Sequence, residues 1–407
     1  MSVDRRSRVD GETPPVDPRA FFAEELPAAF ERQAAMLEPA VRSLDPRPLA
    51  IEIDDQVWSL GTADGRVRIR PGAAADGPRL RLDARQLADL VCDQVTPVGW
   101  HSSGTLALAA GVLEEVLDWW VLVRGALDGI APHVPGAVVF TAADGAPLDL
   151  RRTFRPGDSP AELRQFLESA GYLHVAGVFS AGEMAAVSAD MDRAAPGYRP
   201  RDGRSWWART SDGVERLVRM QGFDDVSPAV AALVRDDRLH ALGRLTGDGH
   251  RWGSMEGNRI EALFKPIGVV EGISDVPWHK DCALGRHSYE CCAVTVGISV
   301  TGGDAVSGQL RVLAGSHRAL VWPSRLQPDL DLPVVDLPTR TGDVTVHLSC
   351  TLHMAAPPLE RERRVLYTGF RLPPLDASAA AAGRARLRAI REAAPVTVSQ
   401  PAAGVTR

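Results

Sequence analysis

Lysine is almost missing from this chain of 407 residues: of 46 basic side chains, only Lys265 and Lys280 are lysines. With 37 glycines and 30 prolines, the preference for arginine reads as the compositional bias of a GC-rich bacterial genome. Both surviving lysines lie close to His279 in sequence, and a compact ammonium is not interchangeable with a planar guanidinium at a crowded site. Cysteine is also scarce. The five (Cys92, Cys282, Cys291, Cys292, Cys350) are odd in number and lack CxxC spacing, which argues against a disulfide framework or a structural zinc site and fits a reducing cytoplasm. Cys282 reads as a small buried apolar residue. No apolar run approaches the ~20 residues of a membrane span. A net charge of −6 argues against a general nucleic-acid binder, which needs a basic field. The start, MSVDRRSRVDGETPPVDPRA, has arginines without an apolar segment behind them, so residues 1–20 read as a flexible leader and not as a secretory signal.

What is present points to two halves. Apolar residues at helical spacing (Phe21, Phe22, Leu26, Phe30, Met36, Leu37, Val41) predict an amphipathic helix over 21–45. Strand-like segments follow at 49–54, 56–61, 67–72 and 80–84, with a hairpin turn at Asp64-Gly65-Arg66. Helices are expected at 85–95 and 112–129. The order indicates an α+β sandwich over 21–140, followed by a turn-rich linker, TAADGAPLDLRRTFRPGDSP, at 141–160. After it come a helix at 161–170, an apolar strand, and a capping box of Ser180 and Glu183 opening another helix. From residue 255 onward short strands alternate with Gly/Pro turns (IEALFKPI, CCAVTVGISV, GQLRVLAG, DVTVHLS, RVLYTGF), the pattern of a double-sheet jelly roll. Residues 161–375 form this second domain, and 376–407 read as a surface helix and tail. The fold class is therefore α+β.

The stretch WHKDCAL, 278–284, carries the chemistry. On a strand, His279 and Asp281 point to one side and Lys280 to the other. An imidazole and a carboxylate aimed at one spot are two of the three ligands with which proteins hold non-haem Fe(II), leaving positions open for co-substrate and oxygen. A second imidazole can come from GDVTVHLSCTLHMAAPPLERERRVLYTGF. Small residues after His353 leave room for a ligand, and Arg364 follows it; His347, on the same strand as Thr345, reads as a supporting or core group. Arg363 and Arg364 alternate, so only one of them points inward. Gln309, Ser316 and His317 read as turn and wall residues, with Gln309 placed to touch substrate. Trp206, beside Trp207, could line a substrate mouth, although a tryptophan pair is more often core.

On these motifs the second half resembles the phytanoyl-CoA dioxygenase family of Fe(II)/2-oxoglutarate oxygenases, from FLESAGYLHVAGVFSAGEM through FKPIG, PWHKD and SGQLRVLAGSH to GDVTVHLSCTLH and RRVL. The resemblance implies iron ligands at His279, Asp281 and His353, and a 2-oxoglutarate arginine at Arg364, whose guanidinium suits a bidentate carboxylate. It also implies a helping lysine at Lys265. Lys280 stands where the family often has Gln. An aromatic that some relatives place before GQL is absent from CCAVTVGISV, leaving Thr295 as the candidate polar contact for 2-oxoglutarate. The first half resembles, in pattern, the sterol-carrier-protein-type lipid-binding fold (VWSLGTADGRVRIRPG, RLRLDARQLADLVCDQV, TLALAAGVLEEVLDWW), which implies an apolar tunnel. A small domain with a filled core, serving assembly or dimerisation, fits the same pattern.

The expected function is hydroxylation of a C–H bond of a hydrophobic or carrier-bound small molecule, using Fe(II), 2-oxoglutarate and O2 and releasing succinate and CO2. A carboxylate at Asp281 argues against the related halogenases, whose site has a small residue there. Two other classes stay open: a lipid-binding or regulatory protein with a structural jelly roll, and a metal-dependent isomerase or hydrolase. No nucleic acid and no membrane span are expected; a homodimer is compatible.

Overall fold

The computed structural model describes residues 14–72, 76–102, 104–200, 202–253, 260–272, 274, 278–281, 293–322 and 330–373. The expected leader at 1–20 is described only from residue 14, where a helix begins at Pro18, and the expected tail helix at 376–394 lies outside the described residues. Among the described residues no helix is long and apolar enough to cross a membrane.

The first half builds a five-stranded sheet from β1 (Leu49–Ile53), β2 (Gln56–Ala63), β3 (Arg66–Pro71), β4 (Arg79–Leu82) and β5 (Ala107–Ala110), in the order β3-β2-β1-β4-β5. Period-two alternation turns Ile51, Ile53, Trp58, Leu60, Leu80 and Leu82 to one face, where they join Phe21, Phe22 and the Leu113–Asp128 helix in one core. The helix expected over 21–45 is interrupted at Gln33, so that Leu26–Arg32 and Ala34–Leu44 are separate helices. The Pro97–Ser102 helix and β5 were not legible in the pattern. Phe22 stacks on Trp58 at 5.7 Å. The free space left between Phe21, Phe22, Trp119, Trp120 and Val123 is about 20 Å³, far below the ~150 Å³ of a cavity that holds one benzene. Around these residues the core is filled by its own side chains; a separate space of about 380 Å³ opens between Phe30, Leu37, Val41, Val67 and Ile69.

The second half contains a larger sheet formed by β6 (Tyr172–Val175), β7 (Ser205–Thr210), β8 (Glu215–Met220), β9 (Arg251–Trp252), β10 (Ile260–Lys265), β11 (Val269–Glu271), β12 (Ala293–Ser299), β15 (Val344–Leu348) and β17 (Arg363–Arg371). A smaller sheet has the order β14-β13-β16, from β13 (Leu310–Leu313), β14 (Val334–Leu337) and β16 (His353–Ala355). This is the expected jelly roll, with one addition: the β7–β8 hairpin begins well before residue 255. The capping box at the Ala181–Ala194 helix is as expected, Ser180 Oγ accepting from the Glu183 N–H at 3.2 Å.

Residues directly opposite in an antiparallel pair share a face. Val294, Val296, Ile298, Leu366, Phe370, Ile260 and Ala262 therefore line the face that packs with Met184, Val187 and Leu239 of the helices. The other face carries Thr295 opposite His347 and Gly369, Gly297 opposite Tyr367, and Arg363 opposite Lys265. A polar surface so placed, between two sheets, is a site and not a core.

The halves are joined tightly. Asp118, on the Leu113–Asp128 helix, faces Trp322 of the second half; burial pushes its carboxyl up to about 6, aided by Glu115 and Glu114 and opposed by the indole N–H. A folded-state value above the unfolded ~3.9 gives stability that is fully present below about pH 4 and lost as pH rises through about 6. Asp118→Asn removes this dependence. Its thermal midpoint should match wild type near pH 4 and exceed it by at least ~2 °C at pH 8; parallel curves would contradict the reading.

Candidate metal centre

His279 and His353 face one another across an isolated antiparallel bridge, each backbone N–H donating to the other's carbonyl at 3.0 Å. Paired residues project to the same side, and the two rings lie 4.2 Å apart between centroids. Two residues beyond His279, the Asp281 N–H donates to the Ser349 carbonyl at 2.8 Å. Asp281 Oδ1 then sits 3.5 Å from His279 Nε2 and 3.4 Å from His353 Nε2. The three ligand atoms lie within 4.8 Å of one another, a spacing one divalent ion can bridge.

The second carboxylate oxygen is committed elsewhere. Asp281 Oδ2 accepts from Thr295 Oγ1 at 2.6 Å and from His347 Nε2 at 3.0 Å. Thr295 Oγ1 is also 3.2 Å from Ser349 Oγ. Thr295 thus restrains the Asp281 carboxylate, a partner that could not be read from sequence. His353 Nδ1 donates to the Thr351 carbonyl at 2.9 Å, which orients the ring with Nε2 toward Asp281.

Charge follows the same arrangement. Burial alone would raise Asp281, but the His353 charge and hydrogen bonds from His279, His347 and His353 hold it well below the usual carboxylate range. Burial pulls His347 down to about 4, with the His353 charge adding and Asp281 opposing, so His347 donates as a neutral imidazole. Burial also pulls on His353, yet Asp281 and the Thr351 carbonyl outweigh it and raise the ring.

The resemblance implied the 2-oxoglutarate arginine at Arg364. Arg364 lies on the outer face of β17, where its Nη1 donates to Ser188 Oγ at 2.8 Å and its Nη2 to Asp192 Oδ1 at 2.7 Å, on the Ala181–Ala194 helix. Arg363 occupies the inner face. It is 4% exposed, and among the described residues its Nε and Nη2 are buried without a hydrogen-bond partner. Unpaired buried guanidinium donors are costly. The sequence supplied two candidates of opposite parity, and only strand pairing decides between them.

Lys265 is buried directly opposite Arg363. Tyr367, unassigned from sequence, lies beside the Arg363 guanidinium; burial raises its hydroxyl, with Arg363 opposing and Asp281 adding. A Cβ on Gly297 would stand 2.9 Å from the Tyr367 ring, so the glycine makes room for an aromatic delivered from β17 instead of β12. A glycine inside a β-branched run was the available signal. Trp206 is on the inner face at β7, with Arg219 4.2 Å over its ring and Glu261 3.3 Å from Arg219. Gln309 is buried at the head of β13, tied by its main chain to Asp304 and Ala356, outside the His–Asp–His group. Lys280 is completely buried.

A family model described as phytanoyl-CoA dioxygenase (PhyH) matches residues 167–364. No curated protein matches the chain by sequence. Among solved structures, AviO1 from Streptomyces viridochromogenes Tue57 is 20% identical, covers 53% of this chain and 96% of that one, and has a TM-score of 0.41. The non-heme alpha ketoglutarate dependent epimerase SnoN from nogalamycin biosynthesis is 21% identical over 52% of this chain and 81% of that one, with a TM-score of 0.40. EctD from S. alaskensis, solved with 2-oxoglutarate and 5-hydroxyectoine, is 18% identical over 59% and 85%, with a TM-score of 0.43.

Outer partners of a metal ligand typically govern affinity by about 10–100-fold. Thr295→Val, which removes the donor to Asp281 Oδ2, should weaken Co(II) binding by about that factor in an absorption titration, with circular dichroism unchanged. Unaltered affinity would show that Oδ2 needs no such restraint.

Proposed function

Residues 167–364 form a domain of the phytanoyl-CoA dioxygenase family, and from that premise we propose an Fe(II)- and 2-oxoglutarate-dependent oxygenase that hydroxylates a C–H bond of a small molecule. His279 Nε2, Asp281 Oδ1 and His353 Nε2 would hold the iron, one carboxylate and two imidazoles that leave positions free for co-substrate and oxygen. Bound there, iron and 2-oxoglutarate supply the oxidising chemistry, with succinate and CO2 as co-products. The chain's own part is to orient and exclude. The Thr351 carbonyl and the Thr295–His347 pair aim the ligands, Arg363 takes the distal carboxylate of 2-oxoglutarate in a charge-assisted bond, and Lys265 adds positive charge beside it.

The observation that carries this reading is the joint presence of the three clustered ligand atoms and, on the same inner face, a buried guanidinium with Nε and Nη2 unpaired. A non-catalytic jelly roll has no use for the second feature, and a metal-dependent hydrolase has none either. Asp281 fills the place that a halogenase keeps small, which favours hydroxylation. The expectation of a lipid substrate drew on an apolar tunnel in the first half, and the space between Phe21, Phe22 and Trp119 is too small to hold one. The wall of Trp206, Arg219 and Glu261 offers a substrate aromatic, donor and acceptor groups.

With Fe(II) and oxygen, the protein should convert 2-oxoglutarate to succinate even without substrate. Asp281→Ala should reduce this turnover by about two orders of magnitude or more; full turnover in that variant rules out the assignment.

Arg363→Lys should raise the 2-oxoglutarate concentration for half-saturation about tenfold, since a point charge cannot reproduce a two-pronged bond. Arg364→Lys should leave it within about twofold. The opposite ranking would put the anchor on the outer face.

A further inference from the structure

Successive side chains of residues 319–322 turn to opposite sides. Leu320 and Trp322, 2% and 5% exposed, complete the hydrophobic core of the first half. Ala319 and Val321 turn the other way and join Leu313, Leu332 and Leu352 in a separate apolar cluster, against which Trp278 and Val138 pack. Such alternation is what an extended segment does, and Ala319 has extended backbone (φ −119°, ψ 136°). The segment is therefore held between two packed surfaces.

Each surface has a specific owner. On the first-half side, Pro132 bridges Leu320, the His133 N–H donates to the Leu320 carbonyl at 3.0 Å, and Arg318 Nη1 donates to the Val139 carbonyl at 3.2 Å. The returning strand is latched as well: Asp331 takes His133 Nε2 and the Gly136 N–H, both at 2.6 Å. On the other side, Trp278 immediately precedes His279 and Leu352 immediately precedes His353.

We propose that the first half of the chain is a positioning device for the metal centre. Anchored through Leu320, Trp322 and Asp331, it presses Ala319 and Val321 against Trp278 and Leu352 and so sets the separation of His279 and His353. The inference rests on the metal-centre reading above and goes beyond it. Ligand geometry must be held within about 0.5 Å by packing behind it, and His279, unlike His353 on β16, is held by one isolated bridge. Leu320 and Trp322 are buried within the core of the first half, so a second half cut free at the 141–160 linker would lose that cover.

The test uses the full chain without 2-oxoglutarate, titrated with Co(II) and followed by visible absorption, with thermal unfolding measured alongside. Trp322→Ala should weaken Co(II) binding about tenfold, and Trp322→Phe should restore it to within about twofold. Leu60→Ala, a core substitution in the first-half sheet away from the segment, should lower the melting temperature yet leave Co(II) affinity unchanged. If Trp322→Ala does not fold, Asp331→Asn, which alters only the latch, should still weaken binding several-fold. Unchanged affinity in a folded Trp322→Ala or Asp331→Asn protein overturns the proposal, as does an equal loss in Leu60→Ala. Wild type that fails to bind Co(II) at all removes the metal-centre reading and this inference with it, whereas wild type and variants binding alike remove this inference alone.

Discussion

The division of labour between the two oxygens of Asp281 is the constraint on which the site depends. Oδ2 is held by Thr295 and His347, and this frees Oδ1 to stand between His279 and His353. Thr295 and His347 are opposite residues on neighbouring strands of the larger sheet, while His353 belongs to the smaller one. The carboxylate is thus where the two sheets of the jelly roll meet, and its low proton affinity follows from the imidazoles that surround it. A neutral His347 costs less to bury than a charged one, which is why it can serve as a donor at no exposure to solvent.

Much of this was legible because it depends on local spacing. His279 and Asp281 are two apart, His353 is followed by small residues, and the short apolar segments after residue 255 have the period of strands. Arg363 was not legible, because its difference from Arg364 is one of parity, and parity is set by pairing with β10 and β12. Tyr367 was hidden for a similar reason: its relation to Gly297 exists only across strands. The bond from Thr295 to Asp281 was hidden too, since a hydroxyl inside a barrel can serve a side chain or a bound acid equally well.

The first half shows the other kind of failure. Its alternating strands and tryptophans fit a tunnel and a filled core alike, because periodicity reports which face is apolar and not how much space lies beneath it. Phe21, Phe22 and Trp119 take up that space, and Leu320 with Trp322 close it from the far half of the chain. The sandwich and the jelly roll are then one mechanical unit, in which a core contact made far from the histidines in sequence reaches the residue next to each of them.

On the proposed function, one ion held by His279, Asp281 and His353 shares a pocket with a 2-oxo acid anchored by Arg363. Anaerobic titration of the Fe(II)-loaded protein with 2-oxoglutarate tests it directly. A weak visible charge-transfer band should rise to saturation and be absent when 2-oxoglutarate is replaced by succinate, which lacks the 2-oxo group. Saturable 2-oxoglutarate binding with no such band would contradict it, because the acid would then lie away from the metal.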